Sequence, residues 1–228
     1  MKMQHGQPWR GFVYDPPLQP CLSLLHFDDD ILVLVKPSGL LSVPGKAAEH
    51  ADCLERRARQ LFPQATTVHR LDNATSGVMV MALNRTAHRH LGLQFERRHT
   101  RKCYIARVWG HVREARGRID LPLICDWPNR PKQMVDFERG KAAQTDWQVI
   151  AREDDLPVTR LRLSPLTGRS HQLRVHLLAI GHPILGDRFY APDDAFAAAP
   201  RLQLHAMSLT FRHPTGGRLC TFMAPCPF

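Results

Sequence analysis

No apolar run reaches the eighteen residues that a helix needs to cross a bilayer, so nothing here reads as a membrane span. The N-terminal stretch holds no apolar signal core, so export is not expected. The six cysteines, at 21, 53, 103, 125, 220 and 226, include no Cys-x-x-Cys pair. Metal sites and disulfide frameworks show tighter spacing, which leaves reduced thiols in a cytoplasmic protein without a metal. The thirteen histidines are scattered, and His171 and His176 stand five apart, so they do not share a helix face as i,i+4 ligands would. No internal repeat and no clean linker divides the chain. Acid is scarce relative to base: 21 Asp and Glu against 31 Lys and Arg give a formal charge of +10. Such an excess favours polyanions, and phosphate backbones are the commonest that a basic protein meets.

With 228 residues the chain can bury a sizeable core. Residues 1–21 carry Pro8, Pro16, Pro17 and Pro20 with little periodicity and read as an irregular arm. Leu22–Phe27 and Ile31–Val35 read as a hairpin around Asp28–Asp30, running into the turn Lys36-Pro37-Ser38-Gly39. The spacing predicts helices over 52–62, stopped by Pro63, and over about 86–97, with Ala87, Leu91 and Phe95 as an apolar stripe. Arg85, Arg89, Arg97 and Arg98 fall on the opposite face and read as solvated charge. Strands are expected over 102–109, 140–150, 158–163, 202–211 and 219–223, the last two around the turn Pro214–Gly217. Residues 117–134 contain three prolines and read as a long loop, with Arg130 and Lys132 free for phosphates. A third helix should start at Ser170 as N-cap and end before Gly181, and a short one lies near 195–200. Strands with few helices argue for an α+β fold around a mostly antiparallel mixed sheet, residues 22–228 forming one domain.

The stretch that organises the rest is Thr67–Ala82, with His69-Arg70-Leu71-Asp72 before the polar turn Asn73–Gly77 and the apolar run from Val78 after it. Asp72 is expected at a strand end, where an anchored carboxylate gains precision. Alone, an Asp there more often caps a turn than does chemistry. The whole string His69-Arg70-Leu71-Asp72-x-x-Thr75-Ser76-Gly77 resembles the signature of the RluA family of pseudouridine synthases, and that resemblance makes Asp72 the catalytic residue.

Two more elements carry the resemblance. Lys102-x-Tyr104, by composition an ordinary half-buried strand, is similar to a second family element whose Tyr lies against the target base. An aromatic face suits a flipped nucleobase. Thr167-Gly168-Arg169-Ser170-His171-Gln172-Leu173-Arg174 is similar to a third, whose Arg pairs with the catalytic Asp; that implies Arg174 facing Asp72. A guanidinium there would hold the carboxylate ionised and oriented. Lys36-Pro37-x-Gly39 is similar to a recurring element beside the active site, which puts Lys36 at the cleft wall as structural support and as a candidate for RNA contact. About 35 residues precede it, too few for the S4-type RNA-binding domain of larger relatives.

The resemblance implies the pseudouridine synthase fold and an isomerase that breaks the glycosidic bond of a uridine, turns the base and rejoins it through carbon. Nothing is gained or lost, so no cofactor is expected. Hairpin loops of ribosomal and transfer RNA are the implied substrates, met by a monomer. Arg70 is the candidate to fill the space a flipped base leaves, and Lys102, Arg130 and Arg169 are candidates for RNA contact. Two other classes fit less well. A non-catalytic RNA-binding protein or chaperone has no need of Asp72, and a hydrolase with Asp72 as general base lacks a second carboxylate or metal constellation.

Overall fold

The computed structural model describes residues 13–228. In chain order they form β1 (Leu24–Phe27), β2 (Ile31–Lys36), α1 (Leu54–Leu61), β3 (Thr66–Thr67), β4 (Ser76–Ala82), α2 (Arg85–Glu96), β5 (Arg101–Trp109) and β6 (Arg116–Asp120). There follow β7 (Leu123–Cys125), β8 (Gln133–Val135), β9 (Gln144–Glu153), β10 (Val158–Pro165), α3 (Gln172–Ala179), α4 (Asp193–Ala197), β11 (Leu204–Arg212) and β12 (Leu219–Met223). Ten strands join in one sheet, in the order β1-β2-β4-β11-β5-β10-β9-β6, with β3 on β4 and β12 on β11. Every pairing is antiparallel except β4 with β11, so the fold is α+β with a mixed, mostly antiparallel sheet.

The apolar run from Val78 is buried on both faces because helices cover both. Val78, Val80 and Ala82 join Ile31 and Val33 against Ala87 and Leu91 of α2. Met79 and Met81 join Leu32 and Leu34 against Leu54 and Ala58 of α1. A fully buried Leu in such a layer contributes roughly 1.5–3 kcal/mol. Farther along the sheet, Leu173 and Leu177 of α3 pack on Ala106, Val108, Leu161 and Leu163. Asn84 caps α2 by accepting from the Ala87 N–H at 2.8 Å.

Part of the expected arm lies outside the described residues. From Val13 to Ser23 the chain has no helix or strand, and it is tied down by the Tyr14 hydroxyl donating to the Asp52 carbonyl and Arg57 donating to that of Pro17. Three expectations change. Residues 117–134 are not one loop: they finish β6 and hold the hairpin β7–β8, whose three-residue strands are too short to show periodicity between prolines. Only Thr66 and Thr67 are strand before Asp72, so that carboxylate stands in a loop. The N-cap of α3 is His171 rather than Ser170, with a left-handed backbone at φ 51°.

All six cysteines are free. Among the described residues no helix is long and apolar enough to cross a membrane.

Candidate active site

The loop that carries Asp72 owes its order to the segment 36–42. The Lys36 ammonium is completely buried and donates to the carbonyls of Pro37, Leu40 and Asn73 at 2.8, 2.6 and 2.9 Å. Asn73 exchanges hydrogen bonds with Gly39, its side chain donating to the Gly39 carbonyl and its own carbonyl accepting the Gly39 N–H. Ser38 donates to the Ala74 carbonyl and Ser42 to that of Leu71. Burial pulls the Lys36 pKa from 10.5 down to about 7, against the upward pull of the Asp72 carboxylate. A side chain enclosed by carbonyls in this way does not reach RNA, so the contact expected of Lys36 is corrected, while its expected part as structural support stays.

The far end of the loop enters β4 through Ser76 and Gly77, at the parallel junction where His205 faces Ser76 and Ala206 faces Gly77. Gly77 has φ +122°, and a Cβ there would lie 2.2 Å from the Ala206 carbonyl oxygen. Only glycine lets the two strands meet at this point. Ser76 Oγ lies 2.9 Å from His205 Nδ1 and accepts from Arg201 at 3.1 Å. Asp72 is thus fixed from both sides, by a lashed loop and by a crowded strand junction.

Arg174 reaches Asp72 from α3. The guanidinium is buried, and its NH1 donates to Asp72 Oδ2 at 3.4 Å. Its Nε and NH2 are taken by Asp187, at 2.7 and 2.6 Å. Burial alone would lower the arginine's pKa, but Asp187 and, more weakly, Asp72 raise it above its ordinary value. Asp187 itself is buried and accepts the N–H groups of Phe189 and Tyr190. Phe189 and Tyr190 stack against the guanidinium, 5.2 and 5.0 Å from their ring centres.

A cleft of about 1150 Å³ opens over these groups, lined by Arg70, Asp72, Tyr104, Arg169, His171 and Arg174 among others. Tyr104 sits on β5 opposite Leu163 and Ala206, packed between two core clusters. Burial, then the Asp72 charge, raises its pKa, so the phenol keeps its proton. Arg70, Lys102 and Arg169 all line the cleft; Lys102 donates to the Thr167 carbonyl at 3.3 Å. Arg98 also lines it, although the helical pattern made it solvated charge. Arg130 does not line it and lies over the Trp127 ring at 4.3 Å, next to the lining residue Pro131.

Asp72, Tyr104 and Arg174, far apart in sequence, therefore meet in one cleft. Sequence reasoning missed Asp187 and Tyr190, and it gave His171 no role. Asp187 follows Gly186, whose φ of +69° and lack of a Cβ let the turn press against the Arg201 carbonyl, and in sequence that pair reads only as a turn.

Comparison with known proteins shows the family. The family model of RNA pseudouridylate synthases matches residues 30–179. The chain is 58% identical over 215 residues to the dual-specificity RNA pseudouridine synthase RluA of Escherichia coli (strain K12), covering 94% of this chain and 98% of that one. It is 58% identical over 205 residues to the protein of the same name from Yersinia pestis, covering 90% and 99%. Among solved structures, human RNA pseudouridylate synthase domain containing 1 superposes with a TM-score of 0.77 at 30% identity, covering 94% of this chain and 87% of that one. The chain belongs to the RNA pseudouridylate synthase family and is an RNA pseudouridine synthase, an isomerase.

Proposed function

We propose that Asp72 starts the isomerisation, with Arg174 holding its carboxylate and Tyr104 stacking on the target base. The observation that carries this reading is the contact of Arg174 NH1 with Asp72 Oδ2 at the foot of a cleft that Tyr104 also lines. A stacked uridine is out of reach of a recessed carboxylate, so the base must leave its stack to enter. At about 1150 Å³ the cleft exceeds the ~300–1,000 Å³ typical of small-molecule sites and takes a base with parts of its neighbours. Arg70, at the rim next to Asp72, fills the space the base vacates. Lys102 and Arg169 meet phosphates within the cleft, and Arg130 does so beyond it. Asp72 acts as nucleophile toward ribose or base, or as the base that removes a ribose proton, and the Arg174 contact holds its carboxylate in place for either role.

The substrates are hairpin loops of ribosomal and transfer RNA, including the anticodon loop, in keeping with the dual specificity named for the Escherichia coli relative. Residues 22–228 form the catalytic domain, which acts as a monomer in the cytoplasm. A compact domain reads few bases directly, so a bent loop recognised by shape and stacking explains two substrates at one site. The test offers isolated stem-loops of about seventeen nucleotides, one from each RNA. Modification of both supports the reading; modification of full-length RNAs alone overturns it. Pseudouridine mapping in cells with and without the gene identifies the uridines.

A further inference from the structure

His171 lines the cleft beside Asp72, and neither the isomerisation as described nor the sequence motif gives it a task. It is one of two described non-glycine residues with positive φ, at 51°. Such a backbone is strained and persists where surrounding structure enforces it. The ring is held on both sides. Its Nδ1 lies 2.7 Å from the Tyr190 hydroxyl, its Nε2 lies 4.0 Å from Asp72 Oδ2, and Phe189 stacks on it at 5.8 Å.

The hydrogen bonds fix which nitrogen carries the proton. The Tyr190 oxygen already accepts the Gln133 N–H at 2.8 Å. Burial raises the Tyr190 pKa, so the phenol keeps its proton and must place it somewhere. The acceptor within reach is His171 Nδ1. The reverse arrangement would have the phenol accept twice and leave a buried O–H without a partner. Burial lowers the His171 pKa to about 4, so at neutral pH the ring holds a single proton, and it sits on Nε2.

That N–H faces the same Asp72 oxygen that Arg174 contacts. Two donors from α3 and its cap converge on Oδ2, and none of the described hydrogen bonds reaches Oδ1. We propose that His171, locked by Tyr190 as the Nε2–H tautomer, is a positioning residue that pins Asp72 by Oδ2 and leaves Oδ1 as the atom that meets the nucleotide. At 4.0 Å the N–H does not yet bond the carboxylate; entry of the base closes this gap, as catalytic hydrogen bonds often tighten only in the complex.

The proposal rests on Asp72 as the reacting group, and the test separates the two. Nitrogen NMR on the full protein at pH 7 reads the tautomer without any turnover. Nδ1 unprotonated and Nε2 protonated is expected, with the preference weakened in Tyr190→Phe; an Nδ1–H ring or an imidazolium in wild type overturns the assignment. Single-turnover kinetics then reads the role. His171→Phe should lower the rate by about 10- to 100-fold at unchanged RNA affinity, the scale of a misplaced reacting group. His171→Gln, whose amide nitrogen falls near Nε2, should regain part of the rate, and His171→Asn, whose nitrogen falls near Nδ1, should not. Wild-type rates in His171→Phe, or equal losses in all three variants, overturn the positioning role and leave Asp72 untouched. Undiminished turnover in Asp72→Asn overturns the underlying reading instead.

Discussion

Arg174 turns its two-pronged edge to Asp187, at 2.6 and 2.7 Å, and offers Asp72 only NH1, at 3.4 Å. The guanidinium is therefore clamped before substrate arrives, and Asp72 meets a fixed donor rather than a flexible one. Preorganisation of this kind costs no reorientation during reaction.

Arg174→Leu should lower stability by about 3–5 kcal/mol, because Asp187 is left buried and charged without its partner. The double variant Arg174→Leu, Asp187→Leu should regain part of that stability, since an apolar pair carries no desolvation cost while the Phe189 and Tyr190 N–H groups lose their acceptor, yet it should stay slow in turnover. Urea unfolding and single-turnover assays on the same preparations separate the two effects. A double variant with wild-type rates would show that Arg174 serves the fold alone.

Gly77→Ala should be among the most damaging small substitutions in the chain. The added methyl would meet the Ala206 backbone at 2.2 Å in a left-handed conformation, and neither strand can move without disturbing the loop or the sheet. A loss of more than about 3 kcal/mol is expected from strain of this type. A thermal midpoint within a few degrees of wild type would contradict the account of the β4–β11 junction.

That Asp72, Tyr104 and Arg174 share one cleft was expected only through the family resemblance of their three motifs; α1, α2 and the long strands were legible because periodicity over eight or more residues outweighs local noise. Asp187 was not, since an Asp after a glycine in a turn looks like turn chemistry, and its partner stands thirteen residues away on a helix. Lys36 was read as structural support with an RNA contact added; sequence shows a lysine after a strand but not the three carbonyls that enclose it. The strand expected up to Leu71 failed because the loop is held by side-chain and carbonyl contacts with 36–42 rather than by a sheet ladder.

Stability should depend on pH through Lys36. Its folded pKa of about 7 lies below the ordinary 10.5, so between these values the unfolded chain holds a proton that the folded one has released. Stability therefore rises with pH across that window and bears the full cost of the buried charge below it. Lys36→Met removes this group, so the difference in unfolding free energy between wild type and variant should move in favour of wild type from pH 7 to pH 10. Parallel curves would contradict it.

RNA affinity should be strongly salt-dependent. If Arg98, Lys102 and Arg169 in the cleft each neutralise one phosphate, log affinity should fall against log salt with a slope of about −2.1, at roughly 0.7 per phosphate of single strand. Arg169→Ala should reduce the slope by about 0.7 while weakening binding to all sequences alike. A slope near zero would show that these side chains neutralise no phosphate.

The most direct test is Asp72→Asn, which keeps the shape and cleft but removes the carboxylate's ability to act as base or nucleophile. Pseudouridine formation should be measured with enzyme in excess over a hairpin substrate, alongside RNA affinity. The account predicts no detectable product at near wild-type affinity; product formation within about tenfold of the wild-type rate, well short of the loss expected for a reacting group, would contradict it.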